Sequence, residues 1–257
     1  MINLKLTASA VAGLLALTAC SAHTQSTSGA SYIARYDNYK ADFAKADGAH
    51  GDVDADVMRI AQIEPQLEFP ARIGLARIQW GQLQTIPADE AAIWQKMAEQ
   101  IGPEMGDFIP VSPLIAEMVA EPRAPGRSSA ANVIADVRRG AARQHLDYVL
   151  IYEVGTSKRE RANDIAVADL TIIGMFVLPT RGVEVEASAS AILLDVRNGY
   201  PYATLTGHAE ENGHARVIDT SSRLVELAET AEARAVADLA DAADEAFDQL
   251  VQAAAAS

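Results

Sequence analysis

The chain reads as an α/β (α+β) domain: a mixed sheet with a carboxy-terminal antiparallel meander, helices mainly on one face and a long carboxy-terminal helix. Three observations predict it. Strand-like alternation and helical spacing take turns through the first half in the order β-α-β-α-β. Asn198-Gly199, a strong two-residue hairpin signal, joins two long alternating segments in the second half. From Ser221 to about Ala254, Leu224, Leu227, Ala231, Ala235, Leu239, Ala242, Ala246 and Leu250 recur as one helical stripe.

The elements follow in order. One cation, Lys5, precedes a run without charge from Leu6 to Cys20, the pattern of a secretory signal and too short for a bilayer span of about 20 residues. Residues 21–31 are small and polar and are expected to be a flexible tether, so a single domain is expected over 32–257. Tyr32, Tyr36, Tyr39 and Phe43 would line one face of a short helix, which either caps the core or stands exposed as a partner stripe. His50–Asp56 alternates aspartates, but a calcium loop starting at Asp52 would need glycine where Val57 stands and glutamate where Ile63 stands. The aspartates instead favour the positive end of a helix over Val53–Ile63.

Phe69–Ile78 alternates as a strand with Ile73, Leu75 and Arg77 on one side. Pro87–Glu90 opens a helix to about Ile101 with Ile93, Trp94 and Met97 as its apolar stripe. A short strand at Phe108–Val111, a short helix at Pro113–Val119 and an exposed loop at Glu121–Arg127 come next. Ser128 or Ser129 caps a helix carrying Val133, Ile134, Val137 and Ala141, which runs into the central strand Asp147–Val154. Ala166–Leu178, Val183–Arg197 and Tyr200–Glu210 read as the strands of the meander. In Val183–Arg197 the even positions are polar up to Ser190 and apolar from Ile192, a switch that predicts a β-bulge or bend near Ala191. A two-residue turn at Asn198-Gly199 would set Asp195, Arg197, Tyr200 and Tyr202 together on the outside of the sheet, a candidate partner-binding face.

Composition narrows the partners. The 257 residues carry a formal charge of −14. Loss of residues 1–19 would take Lys5 away and leave 238 residues at −15. Such a charge argues against nucleic acid and against resting flat on anionic lipid. Cys20 is the one cysteine, so no disulfide can form within the chain.

The residues Leu17-Thr18-Ala19-Cys20 resemble a bacterial lipobox, the processing signal of secreted lipoproteins. The resemblance implies a signal peptide over 1–19, cleavage before Cys20, diacylglycerol on its thiol and an acylated amino terminus; an ordinary signal cut elsewhere is the alternative. Several acyl chains anchor stably where one is marginal. Ser21 follows where an aspartate often marks inner-membrane retention, so the resemblance favours the outer membrane, facing the periplasm. The strand Asp147–Glu153 after a helix, and the hairpin ending Leu194-Asp195-Val196-Arg197-Asn198-Gly199, resemble the α/β domain of a group of envelope lipoproteins. That group shares it with the curli-secretion lipoprotein, the lipoprotein activators of peptidoglycan synthases and the amino-terminal domain of the Tol-system periplasmic protein. The likeness spans roughly 70–250 by element order, and no site residue carries over.

Chemistry is thinly signalled. His208 and His214, with Glu210 and Glu211 between them, are the weak metal candidates, though their spacing fits no zinc template. No nucleophile elbow or phosphate loop occurs, so neither a catalytic residue nor a cofactor is assigned. Three readings follow: a non-catalytic module binding another envelope protein; a cell-wall hydrolase using Glu184, Glu186, His208 and His214; and a subunit of an outer-membrane secretion pore whose hairpins 166–178 and 183–197 insert in a ring.

Overall fold

A computed structural model of the chain describes residues 21–37, 51–122, 130–162, 180–216 and 220–256. Seven strands form one mixed sheet: β1 (Ser21–Thr24), β2 (Ala71–Gln79), β3 (Gln82–Gln84), β4 (Gly106–Pro110), β5 (Tyr148–Ala162), β6 (Thr180–Asp195) and β7 (Pro201–Arg216). Their order is β1-β7-β6-β5-β2-β3, with β4 also beside β2. β2 runs parallel to β4 and β5, whereas β5, β6, β7 and β1 pair antiparallel. The helices are α1 (Gly29–Asp37), α2 (Gly51–Ala61), α3 (Ala88–Ile101), α4 (Pro113–Val119), α5 (Ala130–Arg143) and α6 (Thr220–Ala255). No helix among the described residues is long and apolar enough to cross a membrane.

Period-two alternation divides the core between the sheet's two faces. On one face Ile73, Leu75, Tyr148, Leu150, Val185, Ala187, Leu193 and Leu205 meet Trp94 and Met97 of α3 and the stripe of α6. On the other, Ala76, Val149, Ile151, Leu194 and Val196 meet Val133, Val137 and Ala141 of α5. Most helical residues therefore lie on one face, with α5 and the shorter α4 on the other. Within α6, Leu227, Ala231, Ala235, Leu239, Ala242, Ala246 and Leu250 are all buried, because alanines let the helix lie close on the strands. Gly207 of β7 is where it comes nearest: a Cβ there would stand 2.4 Å from the Ala235 carbonyl oxygen.

Two expectations are corrected here. Residues 21–24 are no tether: β1 pairs with β7 from Ser21 opposite Thr206 to Thr24 opposite Ala203. The sheet thus takes in Ser21–Thr24, because β7 offers a free backbone edge that any extended segment can satisfy. Nor does β6 bulge near Ala191. Val185, Ala187, Ala189, Ala191 and Leu193 stay on the α6 face throughout, all buried. The even positions turn apolar at Ile192 because α5 covers that end of the other face and leaves Ser188 and Ser190 exposed. The irregularity lies in the partner strand instead: Leu193 faces Ala203 and Leu194 faces Pro201, so Tyr202 is the extra residue. The expected strand Ala166–Leu178, with Tyr39, Phe43, Ser128 and Ser129, falls outside the described residues.

Candidate functional site

The expected face of Asp195, Arg197, Tyr200 and Tyr202 is internal, except for a half-exposed Arg197. The hairpin closes through a four-residue loop, not two: the Asp195 N–H donates to the Tyr200 carbonyl at 2.9 Å, and the Gly199 N–H to the Asp195 carbonyl at 3.0 Å. Asp195 itself drives this, since its carboxylate accepts the backbone N–H groups of Arg197 at 2.7 Å and Asn198 at 3.2 Å. Gly199 supplies the positive φ of 77° that ends the loop.

The phenols are turned onto backbone arriving from elsewhere. Tyr202 Oη accepts the Gln66 N–H at 2.7 Å, Tyr148 Oη accepts the Glu68 N–H at 2.8 Å, and Tyr200 Oη donates to the Thr27 carbonyl at 2.8 Å. Burial pushes all three phenols above their ordinary range, so they remain protonated hydrogen-bond partners. The hydrogen bond to Asp195 raises the Arg197 guanidinium in turn. Asn198 Nδ2 donates to the Glu64 carbonyl at 3.0 Å, and the Glu64 carboxylate receives the Gly29 and Ala30 N–H groups at the start of α1. The residues singled out from the sequence thus fasten the amino-terminal segment to the sheet.

Beyond the reach of α5 the outer face of the meander is open, and a trough of about 850 Å³ runs along it. The register builds it row by row: Gly155, Ser188 and His208 stand opposite one another, then Ser157, Glu186 and Glu210. Small residues floor it while Glu186, His208 and Glu210 rise from it. At the β7 edge Asp238 Oδ2 of α6 accepts the His208 N–H at 2.8 Å, covering a strand edge that would otherwise be unpaired. Of the residues proposed for hydrolysis, Glu186 and His208 share this trough. Glu184 lies opposite Asn212 and His214 opposite Gly182, both farther along the strands.

His208 and His214 do not come together. Both lie in β7 rather than a loop, and six residues of extended strand separate them by roughly 20 Å, too far for one ion. No group of three His, Cys, Asp or Glu among the described residues is placed to hold a metal.

Two features escaped the sequence. Trp80, 89% exposed, tips the β2–β3 hairpin at φ 51° beside Gly81 at φ 72°. An apolar groove of about 410 Å³ lies beside it, lined by Ile78, Val133, Ile134, Ile151 and Ile192. The Trp80-Gly81 pair between Gln79 and Gln82 was the available signal, a Gly-containing two-residue turn. Arg77 and Glu90 form a buried ion pair, 4% and 3% exposed, with Arg77 Nε 2.9 Å from both carboxylate oxygens. Tyr152 Oη donates to Glu90 at 2.8 Å.

No protein-family model and no curated protein matches the chain. Solved structures similar to it include the PelC dodecamer from Paraburkholderia phytofirmans (18% identity, 68% of this chain and 91% of that one, TM-score 0.26). Lipoprotein GNA1162 from Neisseria meningitidis also matches (18% identity, 61% and 96%, TM-score 0.26). So does hypothetical protein CT253 from Chlamydia trachomatis (9% identity, 72% and 95%, TM-score 0.27).

Proposed function

We propose that this chain is a lipoprotein of the bacterial cell envelope, anchored through acylated Cys20 to the outer membrane on its periplasmic side, and that it binds another envelope protein rather than catalysing a reaction. The observation that carries the anchor is positional. Leu17-Thr18-Ala19-Cys20 ends one residue before β1, so cleavage ahead of Cys20 leaves every described element in the mature chain. The binding reading is supported by the trough, where polar side chains from three strands stand along an open sheet face.

Intact mass and membrane fractionation of the wild type and Cys20→Ser, made in a bacterial host, test the anchor. A wild type that carries diacylglycerol and sediments with membranes, beside a soluble and unmodified mutant, is the expected result. Two soluble, unmodified proteins would overturn the reading. The hydrolase alternative has one observation in its favour, the gathering of Glu186, His208 and Glu210 in the trough. Release of fragments from purified cell wall, abolished by Glu186→Gln, would establish it instead. The inserting hairpin 166–178 of the pore alternative lies outside the described residues.

A further inference from the structure

We propose that the lipid anchor joins the fold with no tether, so that the β1 edge of the sheet lies along the bilayer. This rests on acylation of Cys20, proposed above, and adds which surface of the domain meets the membrane.

The paired strand sets the distance. Ser21 Oγ and Thr206 Oγ1 are 2.6 Å apart, Thr24 Oγ1 donates to Gln249 at 2.7 Å, and the Gln25 N–H donates to the Tyr202 carbonyl at 2.8 Å. Adjacent Cα atoms are about 3.8 Å apart, so a lipid on Cys20 leaves the protein roughly one residue from a hydrogen-bonded strand. A free segment of residues 21–31 would instead spread over roughly 17–20 Å and let the domain turn over.

The rest of the sheet sets the tilt. β7 continues from Thr206, the partner of Ser21, to Arg216, roughly 33 Å farther in the direction in which β1 points back to Cys20. Standing upright on its anchor, the domain would drive Glu210 and Glu211 into hydrocarbon, which charged groups resist. Lying down, it sets β1 and the residues after it against the headgroups.

Charge distribution agrees. Residues 21–34 contain no Asp, Glu, Lys or Arg in a chain of formal charge −14. Their exposed side chains, among them Ser21, His23, Ser26, Thr27 and Tyr32, suit a polar lipid surface.

The experiment uses the full lipidated protein with one added cysteine, Ser26→Cys beside β1 or Leu114→Cys on α4, whose leucine is 79% exposed. Cys20 is blocked by its thioether, so a maleimide fluorophore labels the new thiol alone. Energy transfer is read to an acceptor on the headgroups of phosphatidylcholine–phosphatidylglycerol vesicles. Five strand spacings, roughly 24 Å, separate β1 from the β3 edge. Transfer should therefore be severalfold higher from position 26 than from 114. Inserting a flexible Gly-Ser segment between Cys20 and Ser21 should erase the difference. Equal transfer from both positions without the insertion, in protein whose mass shows acylation, would overturn this orientation and leave the anchor intact. Protein that returns without acyl mass would overturn the anchor, and the orientation with it.

Discussion

Replacing Glu90 by leucine should remove about 3–5 kcal/mol of stability, the cost of leaving a buried charge without its partner. Arg77 Nε would lose both carboxylate contacts at 2.9 Å, and Tyr152 Oη its acceptor at 2.8 Å. What would remain to the guanidinium is Gln79 Oε1 at 3.0 Å and Glu232 at 3.9 Å. Burial, the largest cause of the raised Tyr152 hydroxyl, persists without the Glu90 charge, so ionisation of Tyr152 does not relieve the loss. The expected loss is large against a total of about 5–15 kcal/mol for a folded domain. Glu90→Gln keeps an acceptor and should fall between leucine and wild type. The double change Arg77→Met/Glu90→Leu removes both charges and should return to within about 1 kcal/mol of wild type. Urea unfolding of the chain with Cys20→Ser reads this, with Trp94 as reporter since it is buried with its ring 5.2 Å from that of Tyr152. A single-mutant loss below about 1 kcal/mol, or a double mutant no better than the single, would refute the dependence on pairing.

Other changes follow from the same geometry. His145 sits at φ 59° just beyond α5, where the Leu146 N–H reaches back to the Ala141 carbonyl, so His145→Gly should raise stability by about 0.5–1 kcal/mol in the same unfolding assay. Gly207→Ala would thrust a methyl into the α6 backbone and should cost about 1–3 kcal/mol, with a lowered thermal midpoint as the measurement. Hydrogen bonds from the Ala30 backbone and the Ser28 hydroxyl hold the Glu64 carboxyl below its ordinary value of 4.5. A carboxyl with a lowered folded pKa stabilises above its unfolded value, and that contribution fades as pH falls through the folded one. Protection factors for amide exchange at Gly29 and Ala30, corrected for the intrinsic pH dependence, should therefore fall on acidification below about pH 4.5, and stay flat in Glu64→Gln.

Local periodicity identifies helices and strands here because each apolar stripe meets a core built for it. The α6 stripe from Leu227 to Leu250 and the Ile73-Leu75-Arg77 face of β2 were legible for that reason, as were Trp94 and Met97 in α3. β1 was not, because Ser-Ala-His-Thr has no alternation and becomes a strand only through the free edge of β7, some 180 residues away in sequence. The polar-to-apolar switch after Ser190 resembled a bulge because a strand's sequence records whether a face is covered, not what covers it. The Tyr200 and Tyr202 rings looked exposed for the same reason: their burial depends on Thr27, Gln66 and Glu68 arriving from the other end of the chain.

By itself, the sequence determined the class of fold, the order of most elements and the cysteine where processing is expected, all properties of neighbours along the chain. Only the tertiary structure decided that residues 21–24 join the sheet, that the Asp195 face is internal and that Glu186, His208 and Glu210 share a trough. Those outcomes depend on pairing register and on which helix covers which end of the sheet, and both come from long-range packing.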